Sequence, residues 1–497
     1  MGDYKINIVN LNVTNNYVEL TAELEGDKEL YYPRISACFY GENDNRILPM
    51  DLKSCNKNKA IAIGIFDTPF LFYNNRKSQN VRVNFLFSDG NGESIIVKPE
   101  KELIIPIKKK NILSHFFSSS KRERSKMIVT ALMSAMFLPY RKMKVQPNKV
   151  TFLSNRSDRL TGNIKSVFFE MTKLNNVDIT VLCKKGGLKA NLPNLFKFFK
   201  LYATSSVVFV DDYYHFLSYL KKKDDVKLIQ LWHACGAFKT FGFTRLGKKG
   251  GPKQTDPNHR MYDYAIVSSQ EIAKHYAEGF GLSDENVVAT GIPRTDIFMD
   301  KEYASKIRSS FYERYPQLKN KKIMLFAPTF RGNGQMSAFY PTDAFDIEKA
   351  YEGLGGEYAI LIKLHPFCEE RFEIPEKYSD MIIDMSDEDE LNDLLFVTDL
   401  LVTDYSSVIF EASLLNIPMM FYAFDLYDYI ASRDFYYDFE GFVPGKIVFS
   451  ENELINAINK KDFESEKVDG FKNKFFDDLD GKSSERVTDL ILENLDI

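Results

Sequence analysis

Cysteine is scarce and scattered: Cys38, Cys55, Cys183, Cys235 and Cys368 are the five in 497 residues, with no C-x-x-C spacing. That excludes a disulfide framework or a cysteine-ligated zinc site and fits a reducing, cytoplasmic setting. Charge of one sign is lacking too. The 65 Lys and Arg against 69 Asp and Glu leave a net charge of −4, which argues against a dedicated nucleic-acid binder. No window reaches the roughly 18 apolar residues of a membrane span, and Met1-Gly2-Asp3-Tyr4-Lys5 lacks the basic-then-apolar pattern of a signal peptide. Neither spanning nor secretion is expected. There is no short internal repeat and no long low-complexity tract. Only six histidines and a single tryptophan, Trp232, are present, so either residue at a marked position stands out. What is plentiful is apolar: 44% hydrophobic residues, with 41 Phe and 27 Tyr, enough for about three folded domains at this length.

Residues 1–107 alternate with period two, as in Ile61-Ile63-Ile65 and Val81-Val83-Phe85-Phe87, between turns such as Asp89-Gly90-Asn91-Gly92. This predicts a small antiparallel β-sandwich, read as an interaction or spacer module because it holds no histidine and no cluster with evident chemistry, with substrate-chain binding as the alternative. Residues 108–148 are basic and apolar. Lys108-Lys109-Lys110, Lys121-Arg122-Glu123-Arg124-Ser125-Lys126 and Arg141-Lys142-Met143-Lys144 bracket the apolar run 127–138, too short to span a bilayer. A peripheral contact with an anionic membrane surface and a linker helix packed on the next domain are both open readings.

From residue 149 strands alternate with helices, predicting two parallel, doubly wound sheets over 149–300 and 301–497, with residues near 291–300 as a hinge candidate. Polar residues should collect at the carboxyl ends of their strands. Leu394–Val397 and Leu400–Thr403 read as one buried strand, with a helix starting past Ser406 and Ser407. Two serines at a helix start are ordinary caps. They also suit an anionic phosphate, with Glu411 one turn inside facing a ribose. The acidic run 384–390 reads as a solvated loop and helix start, and the C-terminal helix is amphipathic, with Val487, Leu490, Ile491 and Leu495 on one face.

Four further strand ends are marked: His233-Ala234-Cys235-Gly236-Ala237-Phe238-Lys239; Gly291-Ile292-Pro293-Arg294-Thr295-Asp296; Pro328-Thr329-Phe330-Arg331; and Lys363-Leu364-His365-Pro366. Two of the six histidines end buried strands, one in each sheet. Such a residue serves as a general base or as a donor to phosphate.

These motifs, with Thr403-Asp404-Tyr405-Ser406-Ser407, Glu411 and Arg433-Asp434-Phe435-Tyr436, in their order over about 150–450, resemble the CDP-glycerol glycerophosphotransferase family of teichoic-acid and capsule polymerases. The resemblance implies a GT-B fold, a CDP-activated polyol phosphate donor, a lipid-linked polyol-phosphate acceptor and a peripheral place on the cytoplasmic face of a bacterial membrane. It makes His233 the general base and puts Lys363, His365, Ser406 and Ser407 on the pyrophosphate. Glu411 would hold the ribose, with Arg294, Thr329 and Asp404 on the donor side. Arg331, Arg433, Gly236 and Lys239 are phosphate or acceptor candidates; the segment after His233 carries one residue more than the family's short form. Glycerol is the expected polyol and ribitol the close alternative. A nucleotide-sugar glycosyltransferase and a non-catalytic polymer-binding scaffold are the readings from other classes. No D-x-D pair flanked by apolar strand is present, so no obligatory protein-bound metal is expected, and Mg²⁺ on the donor diphosphate stays open.

Overall fold

A computed structural model describes residues 4–13, 17–27, 30, 33–40, 45–56, 58–67, 79–88, 94–107, 121–214, 216–245, 251–252, 256, 258–332, 337–388, 390–432, 434–492 and 495. Period-two alternation produces nine N-terminal strands among them: β1 (Tyr4–Val13), β2 (Tyr17–Gly26), β3 (Arg34–Tyr40), β4 (Asn45–Pro49), β5 (Asp51–Asn56), β6 (Lys59–Asp67), β7 (Gln79–Ser88), β8 (Ser94–Val97) and β9 (Leu103–Ile107). They form two antiparallel sheets, β1-β2-β6-β5 and β4-β3-β7-β8 with β9 beside β7. Val18, Leu20 and Leu24 of one meet Ala37, Phe39, Val83 and Phe85 of the other in a shared core. Ser36 donates to Glu278 at 2.7 Å, fastening this module to the next domain.

The first α/β lobe contains β10 (Gln146–Ser154), β11 (Asp178–Cys183), β12 (Ser205–Val210), β13 (Lys227–Gln230), β14 (Tyr264–Ile266) and β15 (Val287–Val288), all parallel in the order β11-β10-β12-β13-β14-β15. The second contains β16 (Lys322–Phe326), β17 (Tyr358–Ile362), β18 (Ile382–Asp384), β19 (Leu400–Thr403), β20 (Met419–Tyr422) and β21 (Lys446–Val448), in the order β18-β17-β16-β19-β20-β21. Continuous apolar runs such as Ala359-Ile360-Leu361-Ile362 are wholly buried, as expected for parallel strands covered on both faces. The strand order reverses between β16 and β19, where open α/β sheets open a ligand crevice at their carboxyl edge.

Leu394–Val397 does not join β19. Leu391–Leu395 is helical, and Asp399 breaks the run, its carboxylate accepting the Ile323 N–H at 2.8 Å and its own N–H bonding to the Ile323 carbonyl. The amphipathic C-terminal helix Ser483–Leu492 leaves the second lobe and packs Val487 and Ile491 against Val150, Phe152 and Ile164 of the first. Residues 291–300 lie under it, their Asp296 carboxylate accepting the N–H groups of Ser483 and Ser484 at 2.9 and 2.8 Å.

The helix Lys121–Arg141 packs Met133 and Phe137 onto the helix Leu195–Thr204, with the Phe137 ring 5.4 Å from Phe199. The linker-helix reading therefore holds for its inner face. Lys108–Lys110 and the side chains of Lys121, Arg122 and Lys126 lie outside the described residues.

Candidate active site

His233 follows β13 on a backbone bent sharply at Trp232, whose φ of 52° lies in the left-handed region that a large side chain rarely adopts. The bend is held from several sides. Asn163 donates to the carbonyls of Leu231 and Trp232 at 2.9 and 3.0 Å, and Trp232 N–H donates to the Gln230 side chain at 2.9 Å. The Trp232 ring lies 4.2 Å from the imidazole. His233 Nδ1 is 3.3 Å from the Asp211 carbonyl, an acceptor only, so Nδ1 carries the proton and Nε2 keeps its lone pair. The Asp212 carboxylate stands 3.7 Å from the same Nδ1. Burial pushes the imidazole down to about 4, with Arg156 and Arg294 pushing the same way and Asp212 opposing. A neutral ring is therefore the resting form near pH 7.

Across the cleft, His365 follows β17 in the complementary tautomer. Its Nδ1 accepts the Phe367 N–H at 3.2 Å, leaving Nε2–H as a donor. Burial pushes it also to about 4, and the next contributions are the cations Lys239, Arg156 and Lys363. Two of those, Lys239 and Arg156, belong to the first lobe.

The lobes are joined at this edge. Arg294, after β15, donates to the His233 carbonyl and to Glu411 of the helix Val408–Leu414, which is only 2% exposed. Glu411 thus reaches across to a guanidinium with Oε1, while its buried Oε2 has no hydrogen-bond partner among the described residues. Below, Phe238 inserts between Phe435 and Phe442, each ring 5.0 Å away, and Thr240 N–H and Tyr436 N–H complete a short backbone bridge to Asp434 and Phe238, both at 2.9 Å. Gly236 adopts φ +64°, and a Cβ there would lie 2.1 Å from the Phe410 ring. A side chain there would collide with that ring, so the close approach of the two segments requires glycine. Lys239 Nζ lies 5.6 Å from the Tyr429 ring.

Three candidates from the sequence are engaged by the protein itself. Arg331 donates to both oxygens of Asp425 at 2.6 and 2.8 Å, to Asp404 at 3.0 Å and to the Thr329 carbonyl, beside the stacked rings of Tyr405 and Tyr429. Asp404 accepts the N–H groups of Thr329 and Tyr405 with its other oxygen. Lys363, 7% exposed, donates to the carbonyls of Ser386 and Glu388. Expected as phosphate or donor contacts, they also build the strand-end scaffold, because buried charges require partners. Thr329 differs: its hydroxyl is buried without a hydrogen-bond partner among the described residues. Ser406 and Ser407 are half-buried, and Ser406 Oγ accepts the Val408 N–H at 3.4 Å. Arg433 lies outside the described residues.

Sequence reasoning passed over Asn163, Arg156 and the pair Asp211-Asp212. The last three lie within two residues of the ends of β10 and β12 and were accessible to the same strand-end rule. Asp211 is 2% exposed; burial raises its carboxyl to about 6, and Ser154 donates to it at 3.0 Å.

The chain spans 59% of the length of the teichoic acid poly(ribitol-phosphate) polymerase of Bacillus spizizenii, to which it is 46% identical over 73% of its own residues. The teichoic acid ribitol-phosphate polymerase TarK of Staphylococcus aureus is 40% identical over 78% of this chain and 77% of that protein. Among solved structures, the wall teichoic acid polymerase TagF superposes with a TM-score of 0.60 at 20% identity, over 76% of this chain and 98% of that one, which supports the fold. The family model described as CDP-glycerol:poly(glycerophosphate) glycerophosphotransferase matches residues 134–493. That match covers both α/β lobes and every strand end described above, and the chain belongs to this family.

Proposed function

We propose that the protein transfers a polyol phosphate from a CDP-activated polyol to the terminal hydroxyl of a poly(polyol phosphate) chain, releasing CMP. The observation that carries this is the pair of complementary neutral imidazoles, an accepting Nε2 on His233 and a donating Nε2–H on His365, presented by two lobes in a GT-B arrangement. His233 takes the proton of the acceptor hydroxyl as its oxygen bonds to the distal phosphorus. The bond from that phosphorus to the bridging oxygen breaks, and CMP departs with the electron pair. His365 donates to a diphosphate oxygen, Glu411 Oε2 and the Thr329 hydroxyl suit donor hydroxyl or phosphate groups, and Ser406 and Ser407 line the diphosphate. Little covalent help is required, so positioning and cationic stabilisation dominate.

The family description names glycerol phosphate. The relatives at 46% and 40% identity are ribitol-phosphate polymerases, whereas a Bacillus subtilis glycerol-phosphate primase is 35% identical. This favours ribitol as the polyol. The acceptor is a lipid-linked polyol-phosphate chain, reached at the cytoplasmic face of a membrane on which the enzyme rests peripherally. No helix among the described residues is long and apolar enough to cross one.

The test is CMP release from CDP-ribitol and CDP-glycerol in parallel, with and without a polyol-phosphate lipid. Faster turnover of CDP-ribitol, retained in EDTA, and a loss of about 10²–10⁴-fold in His233→Ala are expected. Release of a uridine nucleotide from a nucleotide sugar, or unchanged turnover in His233→Ala, would refute the reading.

A further inference from the structure

Phosphoryl transfer places negative charge between the two imidazoles, and three of the cations that sequence reasoning assigned to it are paired within the protein. Arg331 is enclosed by Asp404 and Asp425, Lys363 by two carbonyls, and Arg294 by Glu411 and the His233 carbonyl. Arg156 is different. It sits two residues past β10, where its N–H meets the Ser154 hydroxyl at 3.3 Å, and the same hydroxyl donates to Asp211. Its Nε is 3.7 Å from Asp212, the carboxylate that also stands 3.7 Å from His233 Nδ1. That separation is beyond hydrogen-bond range. Among the described residues the Arg156 guanidinium makes no hydrogen bond, and its side chain remains 41% exposed. Its charge acts on both His233 and His365, and it lies within electrostatic range of Glu390 on the second lobe.

We propose that Arg156 is a catalytic residue whose guanidinium binds the non-bridging oxygens of the phosphoryl group in transit between His233 and His365. The inference rests on the function proposed above and adds to it the cation which that chemistry requires. Asp212 keeps the guanidinium at the first lobe without occupying its donors, so the planar fork stays available to a tetrahedral or metaphosphate-like group. The contact strengthens as charge gathers on those oxygens, and the effect therefore falls on kcat.

Arg156→Gln should lower kcat for CDP-polyol turnover by about 10²–10³-fold. Its Kd for CMP should stay within about twofold of wild type, since CMP lacks the transferred group, and Arg156→Lys should recover part of the rate by keeping a point charge. The half-exposed position predicts an unchanged melting temperature, and Arg156→Lys covers the case in which the glutamine variant loses stability. Wild-type kcat in Arg156→Gln overturns the proposal. So does a raised KM for the acceptor at constant kcat, which would make Arg156 a ligand of the acceptor chain's own phosphate. Equal weakening of CMP binding also overturns it, by making Arg156 a nucleotide ligand. If the wild-type protein releases no CMP from either donor, the functional reading itself fails and the inference falls with it; the other outcomes leave that reading standing.

Discussion

Asp404 joins three segments of the second lobe. One oxygen accepts the N–H groups of Thr329 and Tyr405, and the other meets Arg331, which Asp425 clamps from the far side. Asp404 is 1% exposed, so removing it leaves a buried guanidinium half-paired and two N–H groups unanswered. Asp404→Ala should lower stability by about 3–5 kcal/mol, read from urea unfolding, before any effect on donor binding is measured. A loss under about 1 kcal/mol would mean that Arg331 finds a replacement partner or water. The residue types at the strand ends were legible in the sequence because polar groups after buried apolar runs are unusual. Their partners were not. Whether an arginine faces a ligand or a carboxylate 73 positions away, as Arg331 does with Asp404, is a matter of tertiary placement.

At the scale of elements, the helix Lys121–Arg141 has two apolar faces. The inner one, through Met133 and Phe137, is covered by the first lobe; on the outer one Ile128 and Leu132 are each 57% exposed, and Phe196 on the neighbouring helix is as exposed, with Lys197 and Lys200 beside it. Apolar side chains bordered by lysines suit the boundary of an anionic bilayer, gaining burial and Coulomb attraction together. Ile128→Asp with Leu132→Asp should abolish co-sedimentation with anionic vesicles while leaving thermal stability unchanged, and raised salt should weaken binding of the unmodified protein. Sedimentation that is indifferent to both substitutions would assign this face another partner. The linker-helix reading concerns the inner side of this helix, and the outer side is where the membrane reading is to be tested; composition averages the two together.

For the whole molecule, protonation connects the site to stability. Burial pushes His233, His259 and His365 each down to about 4 from an unfolded value of 6.5. Between those limits the unfolded chain binds more protons, so stability rises with pH and falls on acidification through this window. Asp211, raised to about 6, works in the opposite sense over the interval from 6 down to its unfolded value of 3.8, and burial also raises Asp284, Asp393 and Glu451; carboxyls titrate chiefly below this window, so the imidazoles dominate within it. The urea midpoint should therefore fall between pH 7 and pH 5, and the change should shrink in His259→Gln, whose ring packs against Trp232. A midpoint insensitive to pH over that range would show that these histidines remain hydrated.

The sequence by itself determined the succession of a β-sandwich and two doubly wound sheets, because the hydrophobic period and the buried apolar runs are local properties of the chain. It also determined the strand ends at which chemistry collects, including His233 and His365. Only the tertiary structure decided which of those residues remain available. Pairing between Arg294 and Glu411, between Arg331 and two aspartates, and between Lys363 and two carbonyls depends on segments far apart in the chain that meet when the sheets close on one another. Arg156 and the Asp211-Asp212 pair acquire their place beside the imidazoles in the same way, since charges act through space and the order of residues along the backbone does not record that distance.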